Sequence, residues 1–223
     1  TPPKKKYDFA FVSVPTPGIE GCGAADLRYV EDCLKKVKAD CYIIKSTIPP
    51  KTTDFLIKKY KKDIIFSPEY QGNTQHADLD YDFVILGGAR NLTEKVANLF
   101  QYVYRGNLVV HQTDAVTAEL VKYMENTFLA CKVVFCNQFY RIAKKLGVSY
   151  IELRELFVAD PRVNKSHTFV YENYPFYDSK CFNKDLPAIY EMMKSIGYDA
   201  TFVKAIIDTN DKFKADASQF GAK

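Results

Sequence analysis

The sequence predicts an α/β fold: a largely parallel sheet followed by an all-helical half, joined by one long connecting helix. Two observations carry this. Up to about residue 112, short apolar runs alternate with segments of helical spacing. From Asp114 to Lys145 there is then neither proline nor glycine. The expected division is 1–112 for the sheet domain and 113–223 for the helical one.

The strand candidates are YDFAFVSVP (7–15), DCYIIKST (40–47), DIIFSPE (63–69), DFVILGG (82–88) and NLVVHQ (107–112). Segments 25–38, 52–61 and 91–104 between them repeat apolar residues at helical spacing. Continuous apolar strands alternating with helices imply a largely parallel sheet covered on both faces. Ligands of such sheets gather at the carboxyl ends of the strands, where PTPG, STIPP and SPEYQGN fall. In the second half, apolar residues at 116, 120, 121, 124, 128, 129, 133 and 135 set up one helix from about 114 to 146, closed by Gly147. That exceeds the usual globular length of about 10–14 residues and suggests a spine between domains or subunits. Shorter helices are expected at 149–158, 184–196 and 200–216, with an aromatic loop at 160–180.

Composition narrows the function classes. Of 223 residues, 47% are hydrophobic and 26% charged, enough for a substantial core. The net charge of +4 comes from short basic groups that read as solvated helix faces, so no nucleic-acid partner is expected. No apolar run nears the roughly 18 residues that cross a bilayer, so no membrane association is expected. The six cysteines form no CxxC pair and no Cys/His metal spacing, so no metal and no disulfide framework are expected. Reduced thiols fit a cytoplasmic location.

One cysteine stands in a charged setting. In SKCFNKD, Cys181 has Lys180, Lys184 and Asp185 within four residues. Neighbouring ammonium groups favour a thiolate, the nucleophilic form. A half-buried cysteine beside surface charges is the other reading of the same residues.

ELVKYMENTFLACKVVFCNQF (119–139), DPR (160–162) and CFNKD (181–185) together resemble the UDP-glucose and GDP-mannose dehydrogenase family. VPTP (14–17), KSTIP (45–49), SPEY (67–70) and IIDTND (206–211) match its loops and helices in the same order. The resemblance implies a partial Rossmann-like sheet followed by a helical dimerisation domain, and NAD-dependent oxidation of a UDP-sugar C6 alcohol to a carboxylate in two hydride transfers, through a thioester on Cys181. It assigns Lys122 to the developing oxyanion and Asn126, four residues further along the long helix, to the same oxygen or an attacking water. It assigns Asp185 to water positioning or proton transfer and Glu69 to acid–base chemistry. Arg162 and Tyr177, with Glu69, Lys122 and Asn126, would hold the substrate. Pro15, Thr16, Ser46 and Thr47 would line the nicotinamide side of NAD.

The resemblance has departures. GIEGCG (18–23) lacks the GxGxxG spacing that grips a pyrophosphate. Phe176, Asp178 and Ser179 stand where the family has glycines before its nucleophile, and Asn164 stands where a glycine follows the arginine. Asn73 stands where a second carboxylate is expected. A non-catalytic relative serving as a structural or interaction protein is therefore the alternative. Weak NAD binding is expected of this stretch alone. Two further expectations concern partners: a homodimer through the helical half, and a further strand or second chain completing the sheet beside residues 7–14.

Overall fold

The computed structural model describes residues 5–70, 83–104 and 108–217. They form two compact units, Thr1–Tyr123 and Met124–Lys223. The division falls inside the long helix, which belongs to both.

The first unit is a five-stranded sheet with order β1-β2-β3-β4-β5. Its elements are β1 (Lys6–Val12), α1 (Arg28–Lys36), β2 (Lys38–Ile44), α2 (Thr52–Tyr60), β3 (Ile64–Phe66), β4 (Phe83–Gly87), α3 (Arg90–Val103) and β5 (Val109–Thr113). The pairings β1–β2, β2–β3 and β4–β5 are parallel, while β3 meets β4 antiparallel at Phe66 opposite Gly87. The period of two in each strand sorts its side chains between two layers. Tyr42, Ile44, Ile64 and Phe66 join Val30 and Leu34 of α1 and Leu56 of α2 in one buried cluster. Cys41, Ile43 and Ile65 join Leu92, Val96 and Ala97 of α3 in the other. Coverage of both faces is why these strands read as unbroken apolar runs. Each fully buried Ile or Phe contributes roughly 1.5–3 kcal/mol.

β1 pairs with β2 alone among the described residues, and Tyr7 and Phe11 on it are exposed. The strand ends at Val12, short of the expected Pro15, and residues 13–17 form a loop over the carboxyl end of the sheet.

α4 (Ala115–Leu146) runs unbroken for 32 residues, about 48 Å. Its first turn lies against Gly87, where an added Cβ would stand 2.4 Å from the Ala118 Cβ. The second unit adds α5 (Tyr150–Phe157), α6 (Lys180–Ser195) and α7 (Thr201–Asp216). Ala130, Val134, Tyr177, Phe182, Leu186, Ile206 and Phe213 form its core. α6 begins at Lys180, four residues before the expected 184. The Ser179 hydroxyl accepts from the Phe182 N–H at 3.2 Å, capping that first turn. No helix among the described residues is long and apolar enough to cross a membrane.

Candidate active site

The first unit gathers its candidate residues at the carboxyl ends of β1, β2 and β3. Thr16 is buried, and its hydroxyl donates to the Thr47 carbonyl at 2.8 Å. The buried Ser46 hydroxyl accepts from the Val14 N–H at 2.8 Å and donates to the Val14 carbonyl at 2.7 Å. These bonds tie the loop after β1 to the loop after β2, with Pro15 exposed between them. Glu69 lies just past β3, half exposed, its carboxylate 3.6 Å from the Lys45 ammonium. Lys45 also donates to the Pro68 carbonyl at 3.2 Å. Burial pushes the Lys45 ammonium below the usual lysine range; Glu69 pulls it back up and Lys122 pushes it further down. Lys122 is buried, with its ammonium 4.6 Å from the centre of the Tyr70 ring. Asn73 lies outside the described residues.

Glu119 is a further polar group at this end of the sheet unit that no motif singles out. It is fully buried on α4. One oxygen accepts from the Lys51 N–H at 2.6 Å, the other from the Thr53 N–H and hydroxyl at 2.7 and 2.6 Å. Lys51, the residue before α2, has left-handed backbone (φ 74°) and caps nothing with its own side chain. The Glu119 carboxylate therefore caps α2 from another helix. Burial pushes its pKa up to about 7, against the pull of these donors. Its signal was a carboxylate between Ala118 and Tyr123 on the buried face of a helix.

In the second unit, Asn126 and Asp185 meet. The buried Asn126 amide donates to Asp185 Oδ2 at 2.6 Å, and the Lys184 ammonium stands 2.5 Å from Asp185 Oδ1. Asp185 is 1% exposed, so these two partners stand in for the water that its carboxyl group has lost. Cys181 is exposed in the first turn of α6, one helical turn before Asp185, so thiol and carboxylate rise from neighbouring positions on one helix. The arrangement places a positioned amide and a buried carboxylate one helical turn from an exposed thiol.

Tyr177 is buried, its ring edge-on to Phe182 at 5.6 Å, and burial holds its phenol far above the usual range. Arg162 is exposed, its guanidinium gripped by Asp160 at 2.5–3.0 Å. That grip pre-orients the guanidinium outward. Asn164 has φ 59°, the left-handed region, so a glycine there would relieve strain. Its side chain accepts from the Ser166 N–H at 2.8 Å, the local bond that lets asparagine tolerate this backbone. Phe176, Asp178 and Ser179 have no positive φ, so side chains there cost no backbone strain.

Fold and residues define a class first: a Rossmann-type α/β unit whose last sheet element feeds a long helix, and a helical unit that presents a thiol beside a buried amide–carboxylate pair. Models of the NAD binding domain and the central domain of the UDP-glucose/GDP-mannose dehydrogenase family match residues 3–107 and 116–212. The chain belongs to that family. It is 31% identical over 215 residues to a UDP-glucose 6-dehydrogenase of Rickettsia conorii, covering 91% of this chain and 49% of that protein. A UDP-N-acetyl-D-mannosamine dehydrogenase of Methanocaldococcus jannaschii is 35% identical over 173 residues, covering 72% of this chain and 40% of its own. The structure of a UDP-glucose dehydrogenase from Pyrobaculum islandicum superimposes with a TM-score of 0.81 at 27% identity, over 95% of this chain and 52% of that one. The chain spans about half the length of the curated relatives it matches.

Proposed function

We propose that the chain forms the NAD-nicotinamide side and the thiol-bearing side of a nucleotide-sugar 6-dehydrogenase, which oxidises the C6 alcohol of a UDP-sugar to a carboxylate. The observation that carries this reading is the buried Asn126–Asp185 bond one turn from the exposed Cys181. The loops holding Thr16, Ser46 and Thr47 fit the nicotinamide end of a dinucleotide, because they are cross-tied at the carboxyl ends of parallel strands, with Thr16 and Ser46 buried. Bound there one after the other, two NAD molecules would each supply the acceptor for one hydride. Glu69 accepts the proton of the C6 hydroxyl. Cys181 adds its thiolate to the resulting aldehyde, and loss of the second hydride leaves a thioester. Lys122 and Asn126 stabilise the oxyanion. Asp185 orients the water that cleaves the thioester, which returns the thiol and releases the uronate. Arg162 and Tyr177 belong to the substrate side, Arg162 through its outward guanidinium and Tyr177 through the segment that it anchors.

A homodimer through the second unit is part of the reading. Phe128, Phe135, Phe139, Ile142 and Leu146 on α4 are each at least 41% exposed, and Ile151 on α5 is 75% exposed. Their spacing of seven, four, three and four makes one continuous apolar stripe, which fits a second copy. The edge of β1, paired with β2 alone among the described residues, takes a further strand.

Absorbance of NADH with UDP-glucose as substrate, together with calorimetric titration of NAD and UDP-glucose, tests the reaction. The expectation is two NADH per uronate, lost in Cys181→Ala while UDP-glucose still binds. NADH production that persists in Cys181→Ala overturns the thioester route. Binding of UDP-glucose without any turnover supports the non-catalytic alternative, which the side chains at 176 and 178 favour.

A further inference from the structure

Residues 175–179, which lead into Cys181, are held by side chains of other helices. Arg141 of α4 donates to the Pro175 carbonyl at 3.0 Å and the Phe213 carbonyl at 3.1 Å. Asn210 of α7, 2% exposed, grips one residue twice: its Oδ1 accepts from the Tyr177 N–H at 2.8 Å and its Nδ2 donates to the Tyr177 carbonyl at 3.0 Å. One turn on, the Lys214 ammonium stands 2.7 Å from Asp178, which also accepts from Asn183 at 2.8 Å. Ser179 then caps α6, and Cys181 follows.

We propose that Asn210 is a positioning residue for Cys181: its carboxamide fixes the Tyr177 peptides and thereby sets where α6 starts and how its first-turn thiol is presented. This rests on Cys181 being the nucleophile. A primary amide sets an N–H donor and a carbonyl acceptor side by side, at a spacing that serves the C=O and N–H of a single residue, as a neighbouring strand would. No apolar or singly charged side chain of that size does both. The site is buried against Tyr177 and Phe213, so an unmade bond there leaves a backbone group without water. Asn210 occupies the apolar face of α7 between Ile206 and Phe213, a place that leucine would fill if packing alone mattered.

The test is carried out on the whole chain with Asn210→Ala. Hydrogen exchange of the amides of 177–183 should speed up at least tenfold. Iodoacetamide alkylation of Cys181, followed by peptide mass spectrometry, should speed up at least threefold relative to Cys22, the exposed cysteine of the first unit. Val203→Ala, on the same helix and buried, controls for lost stability and should change neither rate ratio. Asn210→Ser serves if the alanine variant does not fold. Unchanged rates at Cys181, or equal changes in Val203→Ala, overturn the proposal. Neither readout needs turnover, so an inactive chain showing these shifts removes the enzymatic reading and leaves the clamp standing.

Discussion

At the scale of single residues, polar groups stand at core positions of helices. Glu119, Asn126, Asp185 and Asn210 each occupy a position that helical spacing assigns to the interior, and each is at most 5% exposed. A buried polar group is stable only with partners, and each has them. For Asn126 and Asp185 the consequence is coupling. Asn126→Leu alone leaves a buried carboxylate short of a donor and should cost about 1–3 kcal/mol. Asn126→Leu with Asp185→Leu should cost less than the two single changes together, as measured by urea unfolding. Equal additivity would mean the bond contributes no coupling. Glu119 predicts a pH dependence. Its folded pKa of about 7 lies above its ordinary value of 4.5, so the folded state holds the proton more tightly. Its contribution is therefore fully present below pH 4.5 and is lost as pH rises to about 7. Urea midpoints across that window should fall more steeply for the native chain than for Glu119→Gln.

At the scale of elements, helix starts and close approaches decide the geometry. Ser179→Ala removes the cap of α6 and should cost about 1 kcal/mol. Gly87→Ala places a methyl group against Ala118 at the start of α4 and should cost roughly 1–3 kcal/mol through displacement of that turn. Thermal unfolding reads both. α6 also starts four residues before the expected 184, because Lys180, Asn183 and Lys184 break up any apolar periodicity at its beginning. What nucleates it is the serine hydroxyl and the clamp on Tyr177, contacts from outside the helix.

At the scale of the whole molecule, the apolar stripe on α4 and α5 predicts association. Light scattering at micromolar concentration should give twice the chain mass, and Phe135→Glu with Ile142→Glu should return the monomer while far-ultraviolet dichroism keeps its helical signal. A monomeric native chain would contradict the homodimer. Much of the molecule was legible beforehand. Continuous apolar strands fixed a two-sided sheet because period-two side chains had to be buried on both faces, as Tyr42 and Ile43 are. The long stretch without glycine or proline had one outcome, a single helix, because nothing in it interrupts the hydrogen-bond ladder. The thiol and its family could be read from short ordered motifs. The tertiary structure alone decided the antiparallel step from β3 to β4, the capping of α2 by Glu119 and the double grip of Asn210 on Tyr177. Their partners are separated by 21, 66 and 33 residues, and no local pattern encodes which distant group arrives to satisfy a buried amide or carboxylate.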